Sequence, residues 1–394
     1  MTESRRRRFP PRHWLAMLLA LVAVCGLAAV ASTDWLASFG GQASGERLQR
    51  MQRSPRFRDG AFENAVPTTK LLPGSVGRMM KQRFGGDEQR YPPSPLPIVQ
   101  ATRDSFATPP TSGVRATWLG HSTVLVEIDG MRVLTDPVWS DRASPSRWVG
   151  PRRFHPPPLP LNELPPIDAV IISHDHYDHL DMETIRRLAR DSAQQQLRFV
   201  VPLGIGAHLE RWGVAPERIV ELDWGDSTRI GDATRSVMLT ATPSRHFSGR
   251  RLRDAIGRGN PTLWATWVIA GSQHRAFFSG DTGFFDGFAA IGERYGPFDL
   301  TMIKIGAYGS AWPEIHVDPE QAVRVHGLVR GRVLLPIHWS TFNLAFHAWD
   351  EPAERVVSAA QAASVTLILP RLGQPVEPDR ASAPDPWWRT LRRR

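Results

Sequence analysis

The feature that most constrains this chain is a cluster of histidines and aspartates directly after a short apolar run. Residues 167–172 (IDAVII) are typical of a buried strand, and the next residues are SHDHYDHLD. Three histidines and two aspartates fall within the six residues 174–179. Imidazole and carboxylate together bind zinc, iron or manganese. A metal site is therefore favoured over a solvated charge run.

Six residues cannot complete two metal sites, so further ligands must come from other strand ends. Three candidates share that setting, because each follows an apolar run: His246 after 239–243, Asp281 after 277–280 and His338 after 333–337. A lone histidine in such a place is more often structural than a ligand. The dense cluster at 174–179 is what makes these three worth considering together.

The apolar runs and helical patterns predict one layered α/β domain over residues 113–370. The predicted strands are 124–128, 132–135, 167–172, 199–202, 219–222, 237–242, 263–269, 276–279, 300–303, 333–337 and, as the last strand, 365–369. Helices are expected from Asp181, where Ile185 and Leu188 share a face, and at 320–328 and 352–363. Residues 32–112 are expected to wrap this core as an extended segment, and 371–394 form a Pro/Arg-rich tail.

The N-terminus carries a targeting or anchoring pattern. A basic segment, 1–13, precedes an uncharged apolar stretch, 14–31, which is near the lower length limit for crossing a bilayer. An uncleaved anchor is favoured, with export of the following chain. A cleaved signal ending at Ala29-Val30-Ala31 and a buried soluble helix remain open. The single cysteine, Cys25, lies in this stretch, which excludes an intramolecular disulfide framework and a Cys-rich zinc module.

The positive charge is concentrated at the two ends of the chain. The formal net charge is +9, and nine arginines lie in the tails, at 5–8, 12, 389 and 392–394. The body is therefore near neutral, which argues against a nucleic-acid-binding protein, including a nuclease. Basic tails suit an anionic membrane surface, and a merely solvated tail is the alternative for the C-terminus.

The motif HxHxDH, followed by a lone His, a Gly-Asp pair and a late His, resembles the metallo-β-lactamase superfamily. Over roughly residues 50–370 the chain resembles the N-acylphosphatidylethanolamine-hydrolysing phospholipase D family, above all its bacterial members. The segments that carry this resemblance are LGHSTVLVEIDG (119–130), TDPVWSDRASP (135–145), GPRRFHPPPLP (150–160), TPSRHFSGR (242–250), FSGDTGF (278–284), RYGPFDL (294–300), IGAYGSAWPEIHVDPEQAV (305–323) and HWSTF (338–342). It implies a four-layer αβ/βα sandwich.

The resemblance also implies a set of metal ligands. The ligands it assigns are His174, His176 and His246 for the first ion, Asp178, His179 and His338 for the second, and Asp281 as the bridge. The expected cofactor is two divalent ions, with zinc as the default for a His-rich site and iron and manganese open. His121 and His316 match family segments and either assist proton transfer or make structural hydrogen bonds. Asp136 either orients a ligating imidazole or caps a turn.

Such a centre stays positively charged, so it attracts a phosphodiester. Water bound to it ionises at about pH 7, which makes a bridging hydroxide the expected nucleophile. The resemblance implies cleavage of N-acylphosphatidylethanolamine to phosphatidic acid and an N-acylethanolamine. The residues expected at the chemistry are Asp178, His179, Asp281, His316 and His121.

Two other functions stay open. One is a lactonase or small-molecule phosphodiesterase with the same centre, since the ligands cannot separate these chemistries. The other is a non-enzymatic, membrane-tethered binding or envelope-stress protein. A phospholipid, the membrane and, by resemblance, a second copy of the chain are the expected partners, and no nucleic acid is. The expected location is the bacterial inner membrane, with the catalytic domain on the periplasmic side.

Overall fold

The computed structural model describes residues 34–251, 254, 259–381 and 384–391. The predicted basic N-terminus (1–13) and anchor or signal (14–31) lie outside these residues. Among the helices that are described, none combines the length and the apolar character needed to cross a membrane. The N-terminal anchor therefore stays a prediction.

The segment before the first sheet is not simply extended. It contains helix α1 (Gly45–Arg53), a hairpin of β1 (Phe57–Arg58) and β2 (Ala61–Phe62), and helix α2 (Val76–Gly85). Met51 and Phe62 are buried in a small cluster with Leu203, Leu263 and Trp264 of the main domain. The segment thus packs on the domain, but with local structure that its polar, Gly- and Pro-rich sequence did not predict.

The first sheet has seven strands. They are β3 (Val114–Gly120), β4 (Thr123–Ile128), β5 (Met131–Thr135), β6 (Ala169–Ile171), β7 (Arg198–Pro202), β8 (Ile219–Leu222) and β16 (Pro375–Val376). Their order is β16-β3-β4-β5-β6-β7-β8. The pairs from β16 to β5 are antiparallel, whereas those from β5 to β8 are parallel.

The second sheet has the same pattern of antiparallel and parallel pairs as the first. Its seven strands are β9 (Ser227–Gly231), β10 (Ser236–Thr242), β11 (Thr266–Ala270), β12 (Arg275–Phe278), β13 (Phe298–Lys304), β14 (Gly331–Ile337) and β15 (Thr366–Leu367), in the order β15-β14-β13-β12-β11-β10-β9. The pairs from β9 to β12 are antiparallel and those from β12 to β15 are parallel.

The main core lies between the two sheets. Val124 and Val126 of β4 belong to the same buried cluster as Leu239 of β10. Leu125, between the two valines, points to the opposite face and joins a second cluster with Ile185, as the two-residue period of a strand requires.

Helices cover the outer faces. The remaining helices are α3 (Met182–Arg190), α4 (Gly206–Arg211), α5 (Gly287–Tyr295), α6 (Pro319–Leu328) and α7 (Glu351–Ala362). α3 packs on the first sheet through Ile185 and Leu188, the face predicted from sequence. α6 and α7 bury Val325 and Val356 against the second sheet. The fold is a mixed α/β sandwich of two sheets with helices outside.

The C-terminal tail is part of this domain. This corrects the expectation that 365–369 is the last strand and the expectation that residues 371–394 form a tail outside the domain. The predicted last strand, 365–369, is observed as the shorter β15, but β16 follows it and pairs with β3. Trp387 and Trp388 are buried in the main core. A two-residue strand has no detectable period, and a Trp pair after a Pro-rich stretch gives no sign of where it packs.

Candidate metal centre

The HDHYDH cluster forms a tight loop between the end of β6 and the start of α3. The backbone amides of His179 and Leu180 both donate to the carbonyl of His176, at 3.0 and 2.8 Å. Asp181 then caps α3 by accepting from the amide of Glu183. Because the loop closes on itself and leads straight into a helix, its side chains are fixed at the edge of the first sheet.

The structure brings His174, His176 and His246 together. His176 Nδ1 lies 2.8 Å from His174 Nε2 and 3.3 Å from His246 Nε2. The other ring nitrogen of His246, Nδ1, lies 2.9 Å from the carbonyl oxygen of Ile315 and must donate to it. His246 Nε2 therefore presents a lone pair toward the other two rings, as a metal ligand does.

Asp178, His179 and His338 form the second group. His338 Nε2 lies 3.2 Å from His179 Nε2 and 3.4 Å from Asp178 Oδ2. Asp281 reaches both groups, since its Oδ1 is 3.0 Å from His338 Nε2 and its Oδ2 is 3.8 Å from His246 Nε2. That is the position expected of a bridging carboxylate.

Asp136 orients this second group from outside. Its Oδ2 accepts from His179 Nδ1 at 2.6 Å, and its two carboxylate oxygens also accept from the backbone amide and hydroxyl of Ser173. His179 Nδ1 therefore carries a proton, which leaves Nε2 as the nitrogen that would bind a metal ion. Of the two interpretations left open for Asp136, the structure supports the orientation of an imidazole.

His121 and His316 also join the cluster. His121 Nε2 lies 2.9 Å from Asp178 Oδ2, and its ring centroid lies 3.9 Å from that of His338, with the ring planes tilted by 43°. His316 Nδ1 lies 3.6 Å from Asp281 Oδ2 and has no hydrogen-bond partner among the described residues. The His316 side chain is 14% exposed, so it faces both the cluster and solvent.

Burial sets the charge state of the first group. It lowers the pKa of His246 to about 3 and, with the neighbouring imidazoles, lowers the pKa of His174 well below its ordinary value. Neutral imidazole is the form that binds metals.

In the first group burial lowers the pKa values of the histidines, whereas in the second group the carboxylates raise the pKa of a histidine. Burial acts to lower the pKa of His179, but the charges of Asp178 and Asp281 outweigh it and raise this pKa well above its ordinary value. Burial acts to raise the pKa of Asp178 and of Asp281, but the neighbouring histidines hold both well below the ordinary value. Both aspartates are thus ionised, and the pocket favours positive charge.

The donor set fits two divalent ions. Each of four overlapping groups brings its donor atoms within 4.8 Å of one another. The members are His121, Asp178, His179 and His338; His174, His176 and His246; His174, His179 and Asp281; and His246, Asp281 and His316. Asp281 Oδ1 is buried and accepts no hydrogen bond within the part of the chain that the structure describes, although an imidazole nitrogen is close. The role of these residues as ligands stays a prediction, and the donor set does not select one metal.

Three neighbours of the centre were not found from the sequence. Asn64 hydrogen-bonds to the backbone of His246, Arg250 holds residues 174–180, the candidate metal-binding loop, and Lys304 is a fully buried lysine at the end of β13. Arg250 donates to the carbonyls of Asp175 and Leu180, at 2.6 and 2.9 Å. Arg250 lies in the quoted segment TPSRHFSGR, but no pattern shows which carbonyls it reaches.

A groove of about 780 Å³ borders the metal-binding loop. Its lining includes Tyr177, Leu180 and the exposed side chains of Trp35 and Trp148. None of the seven predicted ligands lines this groove. Its walls carry both apolar and charged side chains.

The fold and the donor set together define a metal-dependent hydrolase of the metallo-β-lactamase type. Residues 131–339 match the family described as beta-lactamase superfamily domain, and this range contains all seven predicted ligands. The chain therefore belongs to the metallo-β-lactamase superfamily.

Two relatives are similar to this chain over most of its length. An uncharacterized protein of Mycobacterium tuberculosis H37Rv is 45% identical over 383 residues, which are 94% of this chain and 99% of that protein. N-acyl-phosphatidylethanolamine-hydrolyzing phospholipase D 1 of Caenorhabditis elegans is 42% identical over 257 residues, covering 64% and 70% of the two chains. The protein is thus homologous to this phospholipase D.

Solved structures agree on the fold. Isothiocyanate hydrolase from Delia radicum gut bacteria superposes with a TM-score of 0.51 at 16% identity, covering 67% of this chain and 98% of that one. At this identity the likeness concerns the fold alone.

Proposed function

We propose that the protein is a phospholipase D that hydrolyses N-acylphosphatidylethanolamine to phosphatidic acid and an N-acylethanolamine. The observation that carries this proposal is the 42% identity to the C. elegans enzyme of that name, in a chain that gathers all the expected ligands. Water adds to phosphorus, the bond from phosphorus to the ethanolamine oxygen breaks, and that oxygen takes up a proton.

The ions, when bound, supply positive charge for the phosphate and lower the pKa of a water molecule. The residues that would hold them are His174, His176, Asp178, His179, His246, Asp281 and His338. Because they are mostly imidazoles, we propose zinc, with iron and manganese as alternatives.

The chain's own side chains have distinct tasks. His121 holds the carboxylate of Asp178 through the 2.9 Å contact. His316 lies beside Asp281, and burial together with the charge of Lys304 lowers its pKa well below the ordinary value, so its neutral imidazole can hydrogen-bond to a phosphate oxygen. The groove between Trp35, Trp148 and Tyr177 offers an apolar wall to an acyl chain.

We further propose that residues 14–31 anchor the protein in the inner membrane with the domain on the periplasmic side. The support is the basic segment before an uncharged apolar stretch. This placement keeps the centre near its lipid.

The test uses the full-length chain in mixed micelles of detergent and N-acylphosphatidylethanolamine. We expect metal-dependent release of N-acylethanolamine, quantified by mass spectrometry. Asp281→Asn should abolish release, because it removes the bridging charge. Asp104→Asn is the matched control, since Asp104 is exposed and does not line the groove.

No release from wild-type protein that holds two metals per chain would overturn the substrate assignment. Lactones and small phosphodiesters would then be assayed with the same two variants. Turnover of those that is lost in Asp281→Asn would assign the alternative chemistry, whereas no turnover of any of them would favour a binding protein.

A further inference from the structure

Helix α2 exposes an apolar stripe that nothing in the described part of the chain covers. Val76, Met80 and Phe84 are spaced four residues apart and so lie on one face of the helix. Their exposed fractions are 61%, 54% and 78%. No side chain of this helix is buried. A helix that only stabilised the domain would turn its apolar face inward.

The charges of the same helix all have one sign. Arg78, Lys81 and Arg83 are exposed, and no aspartate or glutamate lies between Val76 and Gly85. An apolar stripe flanked by Lys and Arg is the pattern of a helix that lies in the plane of a membrane interface. Anionic lipid headgroups complement such a charge.

The ends of α2 are tied to both loops that flank the metal centre. Before the helix, the amide of Leu72 donates to the carbonyl of Ala311 at 2.8 Å, in the loop that leads to His316. After the helix, the carbonyl of Gln89 accepts from the amide of Trp349 at 3.0 Å, in the segment that follows His338. Any surface on which α2 docks therefore lies close to the candidate metal centre.

We propose that α2 docks on a lipid bilayer that contains anionic lipids, with Val76, Met80 and Phe84 inserted at the headgroup boundary. A second copy of the chain fits less well, because a symmetric contact through this helix would bring its three basic side chains toward those of the other copy. The proposal does not depend on the substrate, since the same docking would serve any reaction at the centre.

The test places a fluorescent reporter on the helix. In full-length protein carrying Cys25→Ser, Met80→Cys is labelled with the polarity-sensitive dye NBD and reconstituted in nanodiscs containing phosphatidylcholine and phosphatidylglycerol. We expect a blue shift of the emission and quenching by lipids with a spin label in the acyl chain. Gln196→Cys, labelled at an exposed position far along the chain, is the matched control and should show neither effect.

The basic residues are tested in the same background. Arg78→Gln, Lys81→Gln and Arg83→Gln together should weaken the docking of α2 by about 100-fold and remove most of the lipid quenching at position 80, because each basic residue near an anionic surface contributes roughly a fivefold attraction. The same loss should follow when phosphatidylglycerol is replaced by phosphatidylcholine. Arg229→Gln, an exposed arginine of β9, should leave the quenching unchanged.

Two results would overturn the proposal. A label at position 80 that aqueous iodide quenches as strongly as the label at position 196 shows that the helix stays in water. A label protected from iodide but not quenched by spin-labelled lipid, together with a dimeric mass in detergent, assigns the stripe to a second copy. Neither measurement involves N-acylphosphatidylethanolamine, so its failure leaves the proposed reaction standing.

Discussion

The side chain of Asn64 makes two hydrogen bonds to the backbone of His246, although the two residues are 182 positions apart in the chain. Asn64 Nδ2 donates to the carbonyl of His246 at 2.7 Å, and Asn64 Oδ1 accepts from the amide of His246 at 3.0 Å. The wrapping segment therefore fixes the backbone of a residue of the first metal-binding group.

Asn64→Ala removes both bonds, and we expect weaker metal binding at the first group. Two neutral hydrogen bonds contribute about 1–3 kcal/mol together, which corresponds to a loss in zinc affinity of roughly five- to a hundredfold if they act wholly on the site. Competition with a chromophoric chelator measures the affinity. Asn162→Ala, at an exposed position, is the control, and equal affinities of the two variants would contradict the role of Asn64.

Asp136→Asn addresses the second group. The asparagine keeps the size of the side chain and tolerates the positive φ of 32° at this position. Its amide cannot accept the proton of His179 Nδ1 and those of Ser173 as the carboxylate does. Loss of such a partner costs about 10- to 100-fold in metal affinity.

The measurement is the metal content of Asp136→Asn after dialysis against graded chelator, with elemental analysis. We expect one of the two ions to be lost at lower chelator concentration than in wild type. Asp104→Asn, at an exposed position, serves as the control. Retention of both ions with unchanged affinity would show that Asp136 only caps the turn.

The sequence located the centre because its signals are local. The cluster at 174–179 follows an apolar strand, and His246, Asp281 and His338 each follow a further apolar run, which made them candidates, while the family resemblance assigned them as ligands. The structure brings all of them together. The face of α3 was predicted for the same reason, since helical spacing records which side is buried, whereas the two-sheet arrangement was expected only from the family resemblance.

The supporting contacts could not be predicted, because their partners are far apart in sequence. Asn64 sits in a polar segment with no period, and the buried side chain of Lys304 ends a strand whose apolar run stops one residue earlier. Helix α2 was missed because its apolar side chains face outward, so its pattern does not mark a core. The tail was set outside the domain because it is rich in proline and arginine.

Trp388 provides a test of the tail's place in the core. The side chain is fully buried, and its Nε1 donates to Glu354 at 2.8 Å. Trp388→Ala should lower the free energy of unfolding by about 3–5 kcal/mol, as for other buried aromatic side chains. Trp148→Ala is the matched control, because Trp148 is 73% exposed and should change stability by less than about 0.5 kcal/mol. Urea denaturation measures both, and similar losses would contradict a structural tail.

Lys304 links stability to pH. Its side chain is fully buried, with Nζ donating to the carbonyl of Gly306 at 2.7 Å, and burial lowers its pKa from 10.5 to about 8. Between these two values the unfolded chain binds one proton more than the folded chain, so folding becomes more favourable as pH rises. This gain amounts to about 3 kcal/mol when complete.

Lys304→Met has no amino group that titrates at this position, so only wild type gains stability as pH rises. The stability of the variant relative to wild type should therefore fall by about 3 kcal/mol between pH 7 and about pH 10.5. Urea denaturation of metal-free protein at several pH values gives the difference directly. Val333→Ala, on the adjacent strand β14, changes no ionisable group, and its difference from wild type should stay constant across the same range. A Lys304→Met difference that is equally constant would show that Lys304 titrates alike in the folded and unfolded chain.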